Sequence, residues 1–256
     1  MEAEFEMMIE DVRKGRGVVE KMADSPPGPV KKDELGVDEM QVLRRLVTLK
    51  RPTIRYINLN CRPERNKKFI ERHGDNPFYQ IERVEGIKTD SHVGCALSHK
   101  RIIMNHDFDK EPLLFIAEDD MITRPEFMFH IPRVIVWANE NLGKWTIINL
   151  GDVRGDHPKF DNGNDFIASV DFTLNFQFII VSKMMVDHIR NYNPCIDSAV
   201  DVWVAYNVPY KKSVYPILTH QEDGVSDIEG IFKTTPHLDF IHMNMEEALK
   251  NTVEAV

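Results

Sequence analysis

Leu113-Leu114-Phe115-Ile116-Ala117-Glu118-Asp119-Asp120 is the stretch on which the reading of this chain turns: five apolar residues in succession stop abruptly at three carboxylates. A short apolar run with so sharp an end predicts a buried strand whose carboxyl end carries the acids. Upstream, the β-rich run Thr53 to Leu59 stops at Asn60 and leads into a charged, helix-like stretch from Pro63 to His73. A second unit begins at Gln80 to Val84, turns at Gly86 and enters a helix with Asp90 or Ser91 as its N-cap, running to about His106. Downstream, strands are expected at Trp145 to Leu150 and Phe176 to Val181, with a helix from Lys183 to Asn191. Strands alternating with helices predict an α/β fold with a single, mostly parallel central sheet flanked by helices. In such sheets ligands sit beyond the carboxyl ends of the strands, where the triplet falls.

Three adjacent carboxylates repel one another, so ending a buried strand in them is unfavourable unless a cation or hydrogen bonds offset the charge. Side chains alternate along an extended chain, which predicts that Glu118 and Asp120 point the same way and share one hard ion while Asp119 points opposite. Oxygen-only ligation suits Mg²⁺ or Mn²⁺. The plainer alternative is that the acids cap a following helix or face water.

The whole chain limits the partners. Its 41 acidic against 32 basic residues give a formal charge of −9, which repels a nucleic-acid backbone. The three cysteines, Cys61, Cys95 and Cys195, are far apart and odd in number, as expected for a reducing compartment rather than a disulfide framework. No signal-like opening, no long apolar span and no N-x-Ser/Thr acceptor occurs, so a cytoplasmic protein without a transmembrane segment is expected. Residues 1–50 read as an N-terminal extension broken by Ser25-Pro26-Pro27-Gly28-Pro29, with helical spacing from Asp38 to Leu49; residues 51–256 read as the catalytic domain.

Four separated segments together resemble glycosyltransferase family 25, the lipooligosaccharide and procollagen galactosyltransferases. They are Ile57-Asn58-Leu59 with Arg62-Pro63-Glu64-Arg65, then Val93-Gly94-Cys95-Ala96-Leu97-Ser98-His99, then Leu114 to Asp120. The fourth runs from Tyr215-Pro216-Ile217 through His220-Gln221 to Gly224-Val225-Ser226-Asp227-Ile228, with Asp201 ahead of it. The resemblance implies a GT-A type fold, a nucleotide-sugar donor (UDP-galactose or UDP-glucose), Mn²⁺ or a similar ion, and inverting transfer to a hydroxyl of a glycan or protein acceptor.

Within that frame Glu118 and Asp120 are expected to hold the ion, His220 to complete its shell from the C-terminal segment, and Asp119 to contact the donor. Asn58, near the end of the first strand, is expected to bind the donor, as are Arg62 and Arg65 in the loop after it, where the fixed charge of the arginines suits the donor's base or diphosphate. Ser98 and His99 are expected to bond the donor or to pack beneath the metal-bearing strand. Inversion needs a general base, for which Asp201 is the first candidate and Asp223 the second; capping a short helix is the alternative for Asp201.

Three other readings compete. His92, Cys95 and His99 lie at helical spacings and admit a zinc site on one face, although no fourth ligand is evident. A Mg²⁺-dependent phosphoryl-transfer enzyme would also place acids at a strand end, but no G-x-x-x-x-G-K-[ST] loop is present. A catalytically inactive nucleotide-sugar or glycan-binding module would keep the fold without turnover. The phenylalanines Phe166, Phe172, Phe176 and Phe178, interleaved with polar residues, are expected to build core, with Asn175 and Gln177 reaching toward the site.

Overall fold

In the computed structural model the described residues are 49–89, 91–151, 159–160, 166–222, 224–225 and 232–233. The chain divides between Arg44 and Arg45, and every described residue belongs to the second part. The proline-rich break and the helix expected over residues 38–49, apart from Leu49, lie outside the described residues.

The first half repeats strand and helix. β1 (Thr53–Asn58) leads to α1 (Pro63–His73), β2 (Gln80–Glu85) to α2 (His92–Asn105), and β3 (Leu114–Glu118) ends at the acidic turn. Pro63 at the first position of α1 suits a place where a backbone N–H has no partner in the helix anyway. Ser91 caps α2 by accepting the Val93 N–H. After the turn come β4 (Met121–Thr123), α3 (Phe127–Glu140), β5 (Ile147–Asn149), β6 (Lys159–Phe160) and β7 (Ile167–Ser169). β8 (Phe178–Val181), α4 (Met185–Asn191), α5 (Val200–Asn207), β9 (Lys211–Val214) and β10 (Thr219–Gln221) follow, with the short pair β11 (Gly224–Val225) and β12 (Phe232–Lys233) last. Pro132 lies inside α3, and a proline there removes a backbone donor, so this segment does not announce itself as a helix.

Eight strands form one sheet in the order β2-β1-β3-β8-β5-β9-β7-β6. The pairings make β2, β1, β3, β5, β9 and β6 run one way and β8 and β7 the other. The sheet is therefore mixed, with most strands aligned, flanked by helices: an α/β architecture. β8 slots between β3 and β5 antiparallel to both. Among the described residues between β5 and β8 there is no helix.

Alternation along the central strands divides the core into two. Phe115 and Ala117 of β3, with Phe178 and Ile180 of β8, join Phe69 of α1 and Phe127, Ile131 and Val134 of α3. Leu114 and Ile116, with Ile179 and Val181, join Ile102 of α2, Met185 of α4 and Val204 of α5. Each of these side chains larger than alanine contributes roughly 1.5–3 kcal/mol by leaving water. With both faces covered, β3 needs an unbroken apolar run, as its sequence shows.

Candidate active site

Parallel pairing aligns the carboxyl ends of the first three strands: Asn58 lies opposite Glu85, and Ile57 opposite Glu118. Beyond those ends a cavity of about 120 Å³ is bordered by Glu118, Asp119 and Asp120, by Arg65, by the loop from Gly86 to Thr89, by Gly94, Cys95 and Ser98 of α2, and by Gln221. The loop and helix are pinned together locally. Ser98 Oγ accepts the Ile87 N–H and donates to the Gly94 carbonyl, both at 2.8 Å, and Thr89 Oγ1 accepts the Gly94 N–H at 2.8 Å. A Cβ on Gly94 would collide with the Ile87 carbonyl, so this close approach requires glycine.

Each carboxylate of the triplet has its own partners. Asp119 Oδ2 accepts from Asn58 Nδ2 at 2.7 Å, and Asn58, only 1% exposed, also accepts from Arg83 Nε at 2.8 Å. Arg65 Nη1 lies 3.3 Å from both Asp119 Oδ1 and Asp120 Oδ2. Asp120 Oδ2 further accepts from Gln221 Nε2 at 2.8 Å, while its buried Oδ1 meets no hydrogen-bond partner among the described residues. Glu118 Oε1 accepts from the Cys95 thiol at 3.4 Å. The expected alternation, with Asp119 turned away from its neighbours, does not hold. β3 ends at Glu118, and Asp119 and Asp120 form a turn, so one guanidinium nitrogen serves both aspartates and all three acids border one cavity.

The field at this turn is strongly negative. Burial, reinforced by the charges of Asp119 and Asp201, pushes Glu118 up to about 7 against the pull of the Cys95 hydrogen bond and Arg65. Burial and the Glu118 charge push Asp120 up to about 7 against the Gln221 hydrogen bond and Arg65. Arg65 thus offsets only part of the charge of three carboxylates. A deficit of positive charge beside a buried, unpartnered carboxylate oxygen fits a divalent cation bound by oxygen ligands.

The other expected site residues are distributed as follows. Ser98 lines the cavity and anchors its loop. His99 is completely buried behind it, with Nδ1 3.1 Å from the Cys95 carbonyl, and is not among the residues lining the cavity. The Arg62 carbonyl accepts from Asn58 at 3.0 Å, while its guanidinium lies 3.6 Å from Glu64 and outside the lining. β10 pairs antiparallel with β4 and carries both His220 and Gln221, but it is Gln221 that reaches Asp120 and borders the cavity. Adjacent strand residues face opposite sides, so one strand cannot present both. Asp201, in the first turn of α5, accepts from Asn175 N at 3.1 Å and Val202 N at 2.8 Å, and its charge is felt at Glu118. Asp223 lies outside the described residues. Gln177 is buried and its carbonyl accepts the Glu118 N–H, while Asn175 adopts φ 60. Of the His92, Cys95 and His99 triple, Cys95 and His99 come together, with Glu118 as the third member.

A larger cavity of about 440 Å³ opens at the far end of α2, bordered by Lys50, Arg55, Arg101, His106, Lys110 and Glu111 among others. Its cations are already engaged: Lys50 and Arg55 pair with Glu111, Lys110 with Asp107, and Arg101 with the Glu85 carbonyl. No helix among the described residues is long and apolar enough to cross a membrane.

No family model matches this chain, and no curated protein does. Among solved structures, the chain is similar to a glycosyltransferase involved in the glycosylation of the major capsid of PBCV-1, at 13% identity and a TM-score of 0.36, over 64% of this chain and 81% of that one. So distant a likeness carries no argument about activity.

Proposed function

We propose that this protein is an inverting glycosyltransferase of GT-A type that transfers a hexose, galactose or glucose, from a UDP-sugar to a hydroxyl of a glycan or protein acceptor. One observation carries the reading: segments far apart in sequence, each part of the family 25 resemblance, converge on one cavity at the carboxyl end of the sheet. Glu118 and Asp120 would hold Mn²⁺ or Mg²⁺. When bound, that ion supplies charge stabilisation for the departing nucleoside diphosphate. Gln221 orients Asp120, and Asn58 and Arg65 fix Asp119 for contact with the donor. Lys88, which borders the same cavity, adds positive charge for the phosphates. Asp201 is assigned the deprotonation of the acceptor hydroxyl; each of its oxygens accepts one backbone N–H and keeps a further lone pair.

The test is a thermal-shift screen of nucleotide sugars with and without Mn²⁺, followed by donor hydrolysis and transfer assays. A UDP-hexose should stabilise the protein only with the ion present. The proposal fails if no common UDP-sugar is hydrolysed or transferred while Glu118→Ala and Asp120→Ala bind donor like the parent. Binding without hydrolysis would instead identify a non-catalytic module.

A further inference from the structure

Where α2 meets the end of β3, three side chains of a different chemical character converge. Cys95 Sγ lies 3.6 Å from His99 Nδ1 and 3.4 Å from Glu118 Oε1. One ligand atom from each of the three lies within 4.8 Å of the others. Cys95 and His99 are one helical turn apart and share a face of α2, and that face lies against Glu118. Zinc binds thiolate sulfur at about 2.3 Å and imidazole nitrogen or carboxylate oxygen at about 2.0–2.2 Å, so a tetrahedral site spaces these atoms by roughly 3.3–3.6 Å. The Cys95–His99 and Cys95–Glu118 edges already have that length. His99 is fully buried, and its Nε2, which has no hydrogen-bond partner among the described residues, can carry the ring proton while Nδ1 turns a lone pair to an ion. Cys95 and Glu118 also border the cavity, which leaves a path for an ion and room for water in a fourth position.

We propose that Cys95, His99 and Glu118 form a binding site for a borderline-soft divalent ion of the zinc class. Binding breaks the Cys95 S–H···Glu118 hydrogen bond and the bond from His99 Nδ1–H to the Cys95 carbonyl, the ring proton moving to Nε2 so that Nδ1 offers its lone pair. The thiol proton passes to solvent as the sulfur–metal bond forms, Glu118 enters as carboxylate, and no electrons are exchanged. Thiolate selects zinc-class ions, whereas oxygen-only ligation selects Mg²⁺ or Mn²⁺. A zinc-class ion on this site therefore withdraws Glu118 from the hard ion; this consequence, unlike the binding itself, rests on the donor-site reading.

The test uses the full chain, reduced and stripped of metal, with Co²⁺ as a spectroscopic substitute and Zn²⁺ titrated calorimetrically. One equivalent of Co²⁺ should produce a thiolate-to-metal charge-transfer band and ligand-field absorption of tetrahedral intensity. The band should vanish in Cys95→Ser. His99→Gln and Glu118→Gln should each weaken Zn²⁺ binding by more than the roughly 10–100-fold expected for loss of an outer-shell partner. If His99→Gln does not fold, Cys95→Ser, which alters only one atom, carries the test with Glu118→Gln. Asp120→Asn should retain the cobalt band while losing Mn²⁺-dependent donor binding. Absence of the band in the parent, its persistence in Cys95→Ser, or its loss in Asp120→Asn would each overturn the proposal. A cobalt band in a parent protein that binds no UDP-sugar with Mn²⁺ would leave this site standing and remove the donor-site reading.

Discussion

Gln221 Nε2 donates to Asp120 Oδ2 at 2.8 Å across 101 positions of sequence. The Glu222 N–H donates to the Asp120 carbonyl at 2.7 Å, so the last residue of β10 and the one after it hold the acidic turn through side chain and backbone. Replacing Gln221 by alanine removes the bond that orients Asp120. Gln221→Ala should weaken Mn²⁺ binding roughly 10–100-fold, measured by calorimetry, with little change in melting temperature. An unchanged affinity would show that Gln221 does not orient a metal ligand.

Glu118 and Asp120, both raised to about 7, give a pH signature. Between the ordinary carboxylate range near 4 and about pH 7 the metal-free native state holds protons that the unfolded chain has already lost. Their contribution to stability is present at low pH and lost as pH rises through 7. Burial lowers His73 to about 4, which acts in the opposite direction, but it is common to the parent and Asp120→Asn and drops out of their difference. Asp120→Asn should therefore gain on the parent in melting temperature from pH 5 to pH 8, and Mn²⁺ should stabilise the parent more at pH 8 than at pH 5. Parallel melting curves across this range would remove the coupled-carboxylate account.

Gly94 packs its α-carbon against the Ile87 carbonyl. Gly94→Ala must displace the loop from Gly86 to Thr89 or the start of α2, at a cost of about 1–3 kcal/mol. For a domain of this size the melting temperature should fall by about 2–4 °C per kcal/mol, read by circular dichroism. Donor affinity should fall with it, because this loop borders the cavity.

Two roles for Asp201, base or backbone anchor, predict different kinetics. If it accepts the acceptor's proton, Asp201→Asn should lower kcat by roughly 10²–10⁴ while the donor KM stays within a few-fold. If it only holds Asn175 at φ 60 through its backbone N–H, the same substitution should loosen that segment, with kcat largely preserved. Steady-state kinetics with varied donor and acceptor tells the two apart.

Much of the site is legible in the sequence because it depends on local pattern. The apolar run ending at Glu118, the Ser91 cap and the helix from Pro63 to His73 are all encoded within a few residues of themselves. Gln221 is not legible there as a partner of Asp120: its segment belongs near the site, but the imidazole beside it is the more obvious ligand. The register of β10 on β4 decides which of two neighbouring side chains faces the acids, and that register is set by partners outside the strand. Cys95 is visible in the sequence as part of the family-like segment and of a possible helical triple, but its proximity to Glu118 arises where a helix meets a strand.

The sequence alone determined where the buried strand lies, where it stops and that three negative charges stop it, since burial and charge follow from side-chain chemistry along the chain. The tertiary structure alone decided that β8 enters antiparallel between β3 and β5, that the chain turns after Glu118 so that Asp119 joins its neighbours, and that Arg65, Cys95 and Gln221 complete the surroundings. Strand direction, turn geometry and side-chain convergence depend on contacts between distant segments, and periodicity within a segment carries no information about them.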